Sequence, residues 1–282
     1  MNKTVCTASR TLTSLQDRST LELSYFTSSP MNFFTPDRLE KIKALVNEGQ
    51  PFIFDDGDIR TLHFDERVVQ SAMRLSAPDE LVIPYTQAMT GFLLFNPAPL
   101  HILVIGLGGG SLVKYCYRHL PSARMTVLES NADVIALRDH FVIPADGERL
   151  QVLHKDAALH LTEMAADSVD VILLDGFDAN GASTELCSFT FLQNCQRVLH
   201  NRGALVMNMA DDGDTITSML TQGQILFGSR HIWWLKTKDG NSHIAVAVKT
   251  GEDKLNDALL REQALSMCEK FALDLVYPKS IE

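Results

Sequence analysis

His101-Ile102-Leu103-Val104-Ile105-Gly106-Leu107-Gly108-Gly109-Gly110-Ser111 passes from an apolar run straight into glycines, and this stretch decides how the chain is read. The helical spacing of Leu112, Val113, Cys116, Tyr117 and Leu120 follows it. The order is strand, tight turn, helix. Glycines permit φ > 0 and let a ligand approach the backbone with no Cβ in the way, so Gly106, Gly108 and Gly110 are candidates for cofactor contact. A second strand, Met125-Thr126-Val127-Leu128, ends at Glu129. An acid roughly 20 residues after such a turn is placed to accept the hydroxyls of an adenosine ribose.

The unit repeats outward from there. Leu150 to Asp156 reads as a third strand ending in an acid followed by Ala157. Val169 to Asp175 reads as a fourth, again ending in an acid. In an open α/β sheet the carboxyl ends of the strands line the ligand crevice. Glu129, Asp156 and Asp175 at successive strand ends therefore read as a site. A glycine turn serving only to pack strand on helix is the plain alternative.

Further along, Thr184 to Leu199 reads as a helix, Asn201-Arg202-Gly203 as a turn, and Ala204 to Met209 as a strand. His231 to Leu235 and His243 to Val248 read as a closing antiparallel hairpin around Lys238-Asp239-Gly240-Asn241. Such a layout predicts an α/β fold with a Rossmann-like, class I methyltransferase sheet. That sheet is mostly parallel with an antiparallel C-terminal hairpin. It lacks the second mononucleotide half of a dehydrogenase and so argues against NAD.

Upstream, residues 1 to about 35 are rich in Ser and Thr and read as an arm or an irregular strand pair. Pro36 to Val46 reads as a short helix with Leu39, Ile42, Leu45 and Val46 on one face. Pro51 to Phe54, an Asp-Gly turn, and Ile59 to Phe64 read as a hairpin. Tyr85 to Phe95 reads as a helical bridge. The predicted organisation is an N-terminal arm and small β domain over 1–84 and a Rossmann-like binding and catalytic domain over 85–282.

Bulk composition bounds the function. The chain has 282 residues, 45% of them hydrophobic, enough for a full core. Its net charge of −10 argues against nucleic acid as a partner. No apolar run reaches the roughly 20 residues of a membrane span, and Met1 to Gln16 lacks a signal-peptide core, so a cytoplasmic protein away from membranes is expected. The five cysteines show no CxxC spacing, and the nine histidines form no HExxH set, so no metal is expected. Cys116 and Cys195 fall on helical patterns and read as packing.

Asp175-Gly176-Phe177-Asp178 leaves the fourth strand with two acids three apart. A carboxylate pair at a crevice mouth favours the ammonium form of an amine, and one member can take its proton as attack begins. Asp178 as a loop cap or Asx-turn is the alternative. Gln70, after the hairpin, and Tyr85, opening the bridge, are candidates to reach the site from the small domain.

In combination, Val68-Val69-Gln70, the Tyr85 to Met89 helix start, Ile105 to Gly110, Leu128-Glu129-Ser130, Lys155-Asp156-Ala157 and Asp175 to Asp178 resemble the spermidine synthase (polyamine aminopropyltransferase) family, over about residues 50–250. The resemblance implies decarboxylated S-adenosylmethionine, or S-adenosylmethionine itself, as cofactor. It implies Gln70 at the nucleoside, Glu129 at the ribose, and Asp156 with Ala157 facing adenine. Asp175 would deprotonate the attacking amine, and Asp178 with Tyr85 and Gln87 would hold a small-molecule amine acceptor; a homodimer is expected.

The chain departs from the family at two places. The family's glycine turn carries an acid, in GGGDGG, where this chain has Gly109. The family also opens the bridging helix with Tyr-His-Glu, where this chain has Tyr85-Thr86-Gln87. Both changes remove a partner for an ammonium group. Three functions therefore stand side by side: aminopropyl transfer to an amine, S-adenosylmethionine-dependent methyl transfer on the same scaffold, and a non-catalytic nucleoside-binding homologue.

Overall fold

The computed structural model describes residues 35–47, 50–178, 181–182, 184–209, 213–236, 242–249, 262 and 279–280. The expected N-terminal arm and the Lys238 to Asn241 turn lie outside the described residues.

Helix α1 (Pro36–Lys43) starts with Pro at its first turn and Thr35 as N-cap, and buries Ile42. It ends three residues short of the expected Val46. Strands β1 (Phe52–Asp56) and β2 (Ile59–His63) form the hairpin around Gly57, whose φ is 59°. A third strand, β3 (Ser71–Arg74), completes a small antiparallel sheet that the sequence reading lacked. At four residues it is too short to show a period. Helix α2 (Pro84–Met89) runs into a 3₁₀ turn over Thr90–Leu94, which together make the expected bridge.

The main sheet then builds through β4 (His101–Ile105), α3 (Ser111–His119), β5 (Arg124–Glu129), α4 (Ala132–Ala136), β6 (Leu150–His154), α5 (Ala157–Glu163) and β7 (Val169–Leu174). A two-residue ribbon, β8 (Phe177–Asp178) with β9 (Gly181–Ala182), follows β7. The chain continues through α6 (Phe189–Val198), β10 (Leu199–Asn208), α7 (Gly213–Phe227), β11 (Ile232–Lys236), β12 (His243–Val248) and β13 (Lys279–Ser280). The sheet order is β13-β11-β12-β10-β7-β4-β5-β6. Strands β6, β5, β4, β7 and β10 are parallel, and β12 and β11 are antiparallel, as expected for a class I methyltransferase-like sheet.

Several sequence boundaries are corrected, and the fourth strand, β7, ends at Leu174, so that Asp175 is the residue after it. The third strand ends at His154, and Asp156 caps the next helix instead of closing the strand, because its side chain accepts from the Leu159 amide. Helix α6 begins at Phe189, not Thr184, since the Ser188 side chain caps it by accepting from the Phe191 amide. The expected turn at Asn201 to Gly203 lies within β10 as an irregularity between Leu199 and Ala204 in its pairing with β7, with Arg202 at φ 68°.

Period-two alternation divides the sheet's side chains between two cores. Ile102, Val104, Val171, Leu173, Ala204, Val206, Ile244 and Val246 join α2, α3 and residues of the small sheet. Leu103, Ile105, Ile172, Leu174, Leu205, Met207, Ala245 and Ala247 join α5, α6 and α7. Burial on both faces explains why these strands read as unbroken apolar runs. Each fully buried Val, Leu, Ile or Met side chain among them contributes about 1.5–3 kcal/mol. Cys116 and Cys195 are buried in these cores as expected, and burial pushes the Cys116 thiol up to about 12.

From β4 the chain winds outward through β5 and β6; from β7 it winds the other way through β10. The crevice therefore opens between the carboxyl ends of β4 and β7. Gly106 follows the first of these strands and Asp175 the second. Among the described residues no helix is long and apolar enough to cross a membrane, and no group of three His, Cys, Asp or Glu residues is placed to hold a metal ion.

Candidate active site

Gly106, Gly108 and Gly110 have φ of 94°, 50° and 66°, which is the left-handed region that a side chain disfavours. At Gly106 close approach is added, because a Cβ there would collide with the backbone carbonyl of Asp175. The turn and the strand end carrying Asp175 are packed backbone to backbone, and the Asp175 amide donates to the Ile105 carbonyl at 2.9 Å.

Glu129 sits beside this turn, 8% exposed. One carboxylate oxygen accepts from the Leu107 amide at 2.8 Å and the other from the Asn131 amide at 2.8 Å. Each oxygen has two acceptor sites, so capacity remains for ligand hydroxyls. Gly108 presents the open part of the turn, where the nearest atom to an added Cβ is the Ser71 Cβ at 3.8 Å. A buried carboxylate at a strand end beside a turn open to approach fits a nucleoside.

Asp175 is held from two sides. The Tyr85 hydroxyl donates to Oδ2 at 3.0 Å, and the Asn208 side-chain amide donates to Oδ1 at 2.9 Å. Tyr85 comes from the first turn of α2, and Asn208 from the end of β10. The register that pairs Met207 with Leu174 brings Asn208 alongside Asp175. Burial raises the Asp175 pKa above the ordinary carboxylate value, and the bonds from Asn208 and Tyr85 pull it back. Burial first, and then the Asp175 charge, push the Tyr85 hydroxyl well up, so it stays a donor. The arrangement holds a carboxylate with a raised proton affinity at the crevice, as a general base requires.

The remaining expected residues are distributed as follows. Gln70 is half-buried, next to Ser71. Ala157 is buried at the start of α5, and Asp156 beside it is exposed with its carboxylate engaged as the helix cap. Gln87 is half-buried, and its amide nitrogen donates to the Leu81 carbonyl at 2.8 Å. The backbone of Asp178 pairs with Gly181 in the β8–β9 ribbon; its side chain lies outside the described residues.

Position 109 gives the family departure a physical form. A Cβ on Gly109 would lie 2.7 Å from the Ser71 hydroxyl oxygen and 2.9 Å from the Phe141 ring. Ser71 also approaches the Ser111 hydroxyl at 3.4 Å, and the buried Lys114 amine donates to the Phe141 carbonyl at 2.8 Å. The small sheet and the segment after α4 thus occupy the room that an acid at 109 would need. Asn208 and Ser71 were missed in the sequence. Asn208 did leave a signal, as the one polar residue of the run Ala204 to Met209.

A family profile, the spermine/spermidine synthase domain, matches residues 82–221. The polyamine aminopropyltransferase of Neisseria meningitidis serogroup A is 33% identical over 224 residues, spanning 79% of this chain and 84% of that protein. A probable spermidine synthase from Corynebacterium glutamicum superposes with a TM-score of 0.63 at 18% identity, covering 82% of this chain and 94% of that one. Human Methyltransferase-like protein 13, solved in complex with SAH, superposes with a TM-score of 0.61 at 20% identity, covering 71% and 96%. At these identities the two structural likenesses concern the fold.

Proposed function

The chain belongs to the spermine/spermidine synthase family of polyamine aminopropyltransferases, and from that premise we propose that it uses Asp175 as general base to move an aminopropyl group onto a polyamine-type amine. The observation that carries this reading is the Asp175 carboxylate gripped by Tyr85 and Asn208 at the switch point of the sheet. Glu129 is assigned to the ribose. The turn at Gly106, Gly108 and Gly110 is assigned to close approach, Gln70 to the nucleoside, and Asp156 with Ala157 to the adenine. Asp178 and Gln87 are assigned to the acceptor.

Decarboxylated S-adenosylmethionine, when bound, supplies a sulfonium-activated carbon whose bond to sulfur breaks, the electron pair staying on sulfur, as the amine nitrogen bonds to it. The protein's part is alignment and proton handling. An amine is protonated in neutral water and has no lone pair to offer. Asp175 attracts the ammonium form and takes one proton on a carboxylate oxygen, and burial makes it a better base than an exposed carboxylate. Tyr85 keeps the carboxylate turned toward the crevice. A cytoplasmic homodimer without nucleic-acid or membrane partners completes the proposal.

Methyl transfer from S-adenosylmethionine is the second reading. It is favoured by the space above Gly109, which Ser71 and Phe141 fill and which therefore has no room for an acid to hold the cofactor's amine. One assay separates the two. The protein is incubated with 1,4-diaminobutane and either cofactor, and products are identified by mass. An aminopropylated diamine with methylthioadenosine supports the first reading; a methylated product supports the second.

A further inference from the structure

We propose, building on the general-base reading of Asp175, that Asn208 is the positioning residue of this site: its amide N–H aims the Asp175 carboxylate, and its carbonyl oxygen holds an N–H of the acceptor amine.

Asn208 is 4% exposed at the end of β10. Its two amide ends have different fates. Nδ2 donates to Oδ1 of Asp175 at 2.9 Å. Its Oδ1 is shut off from solvent and has no hydrogen-bond partner among the described residues. The orientation is dictated by chemistry, because an ionised carboxylate accepts only, so the amide must turn its N–H toward Asp175 and its oxygen away. Buried polar atoms are almost always satisfied, and an empty acceptor one amide width from the carboxylate of Asp175 calls for a donor brought by a ligand.

Among the described residues no such donor is placed here. The Tyr85 hydroxyl donates to the other oxygen of Asp175. The groups that set the ionisation of Asp175 are Tyr85 and Asn208 together with burial. An entering ammonium supplies what is missing. It gives one proton to Asp175 and presents a second N–H to the Asn208 carbonyl oxygen. With that N–H held, the freed lone pair has a fixed direction, which is the alignment that in-line attack requires. The Asn208 amide thus couples the orientation of base and nucleophile.

Two substitutions separate the two halves of the role. Asn208→Leu keeps the approximate volume and removes both donor and acceptor. Asn208→Asp removes the donor and keeps an acceptor oxygen. With 1,4-diaminobutane and decarboxylated S-adenosylmethionine, both variants are expected to lose about tenfold or more in kcat. The acid limb of the kcat/KM profile moves to higher pH in both, since the bond that favours ionised Asp175 is gone. In calorimetry on methylthioadenosine-loaded protein, the Leu variant loses about tenfold in diamine affinity and the Asp variant stays within about threefold of wild type. Methylthioadenosine affinity, which reports an intact fold, stays within about twofold in both.

A Leu variant with unmoved kcat, acid limb and diamine affinity overturns the role of Asn208 while leaving the base assignment standing. A wild-type protein that turns over no amine overturns the base assignment instead, and the calorimetry then decides on Asn208: unchanged diamine affinity in the Leu variant, or none in wild type, overturns it. Should the Leu variant not fold, the Asp variant carries the test, and an unmoved kcat and acid limb in it overturn the proposal.

Discussion

The Tyr85 hydroxyl donates to Oδ2 of Asp175 at 3.0 Å, joining two residues 90 positions apart in the chain. Tyr85 opens the bridge that follows the small sheet, and Asp175 directly follows the central strand β7. The bond therefore ties the entry of the main fold to the base at its crevice. Tyr85→Phe removes the donor and keeps the ring. Because this bond lowers the Asp175 pKa, its loss is expected to move the acid limb of the kcat/KM profile upward and to reduce kcat by about tenfold. A pH series on both proteins checks this; an unmoved limb removes Tyr85 from the control of Asp175.

Asp175→Asn keeps the shape and removes the base. It is expected to lower kcat by about 10²–10⁴-fold with little change in methylthioadenosine affinity. Turnover within a few-fold of wild type would show that Asp175 is not the base.

The same substitution should stabilise the fold. Asp175 has a folded pKa above its unfolded value, the reverse of the usual carboxylate case. Its protonated form is native-like at low pH, so no penalty exists below the unfolded pKa. Stability falls as pH rises through the window from the unfolded to the raised folded value, and the penalty persists above it. Asp175→Asn removes the charge, so at pH 7 its melting temperature should lie above that of wild type, and the gap should close toward pH 3. A lower melting temperature at pH 7 contradicts the burial account.

Glu129 is expected to carry the nucleoside. A ligand bound only by the native state raises the melting temperature, and Glu129→Ala should abolish the shift produced by methylthioadenosine. Loss of the acceptor also leaves the buried Leu107 amide unpaired, a cost of about 1–3 kcal/mol, and frees the half-buried Asn131 amide. Glu129→Gln, which keeps an acceptor oxygen for one amide and turns an NH2 toward the other, separates the two effects: part of the stability recovers and the ligand shift stays reduced. An undiminished shift in the Ala variant refutes the ribose assignment.

Gly106→Ala should be among the most damaging single changes. It places a methyl against the Asp175 carbonyl at a φ of 94°. Overpacking of this kind costs about 1–3 kcal/mol, and the left-handed backbone adds to it. Relief requires moving Asp175, so activity should fall further than the melting temperature alone explains. Gly57→Ala, also at positive φ but with nothing within 4 Å of the added Cβ, is the control for conformation without contact.

Much of this site was legible in the sequence because its carriers stand at breaks in pattern. Gly106 and Asp175 directly follow the apolar strands β4 and β7, and Glu129 closes β5. Strands buried on both faces gave continuous runs that cannot be mistaken for loops. What stayed hidden depends on three-dimensional placement. β3 is too short to show a period, and its Ser71 looks like any surface serine until it lies against Gly109 and Ser111. Asp156 stands at the expected place, yet a helix cap and a strand-end acid have the same local spacing. Asn208 became meaningful only when β10 paired with β7 and set it beside Asp175.

The most direct test of the account is product analysis with the purified full chain, decarboxylated S-adenosylmethionine and 1,4-diaminobutane, run alongside S-adenosylmethionine with the same acceptor. The account predicts a product heavier by one aminopropyl group, an equal amount of methylthioadenosine, and loss of both in Asp175→Asn. A methylated acceptor formed from S-adenosylmethionine, with no aminopropylated product from the decarboxylated cofactor, would contradict it.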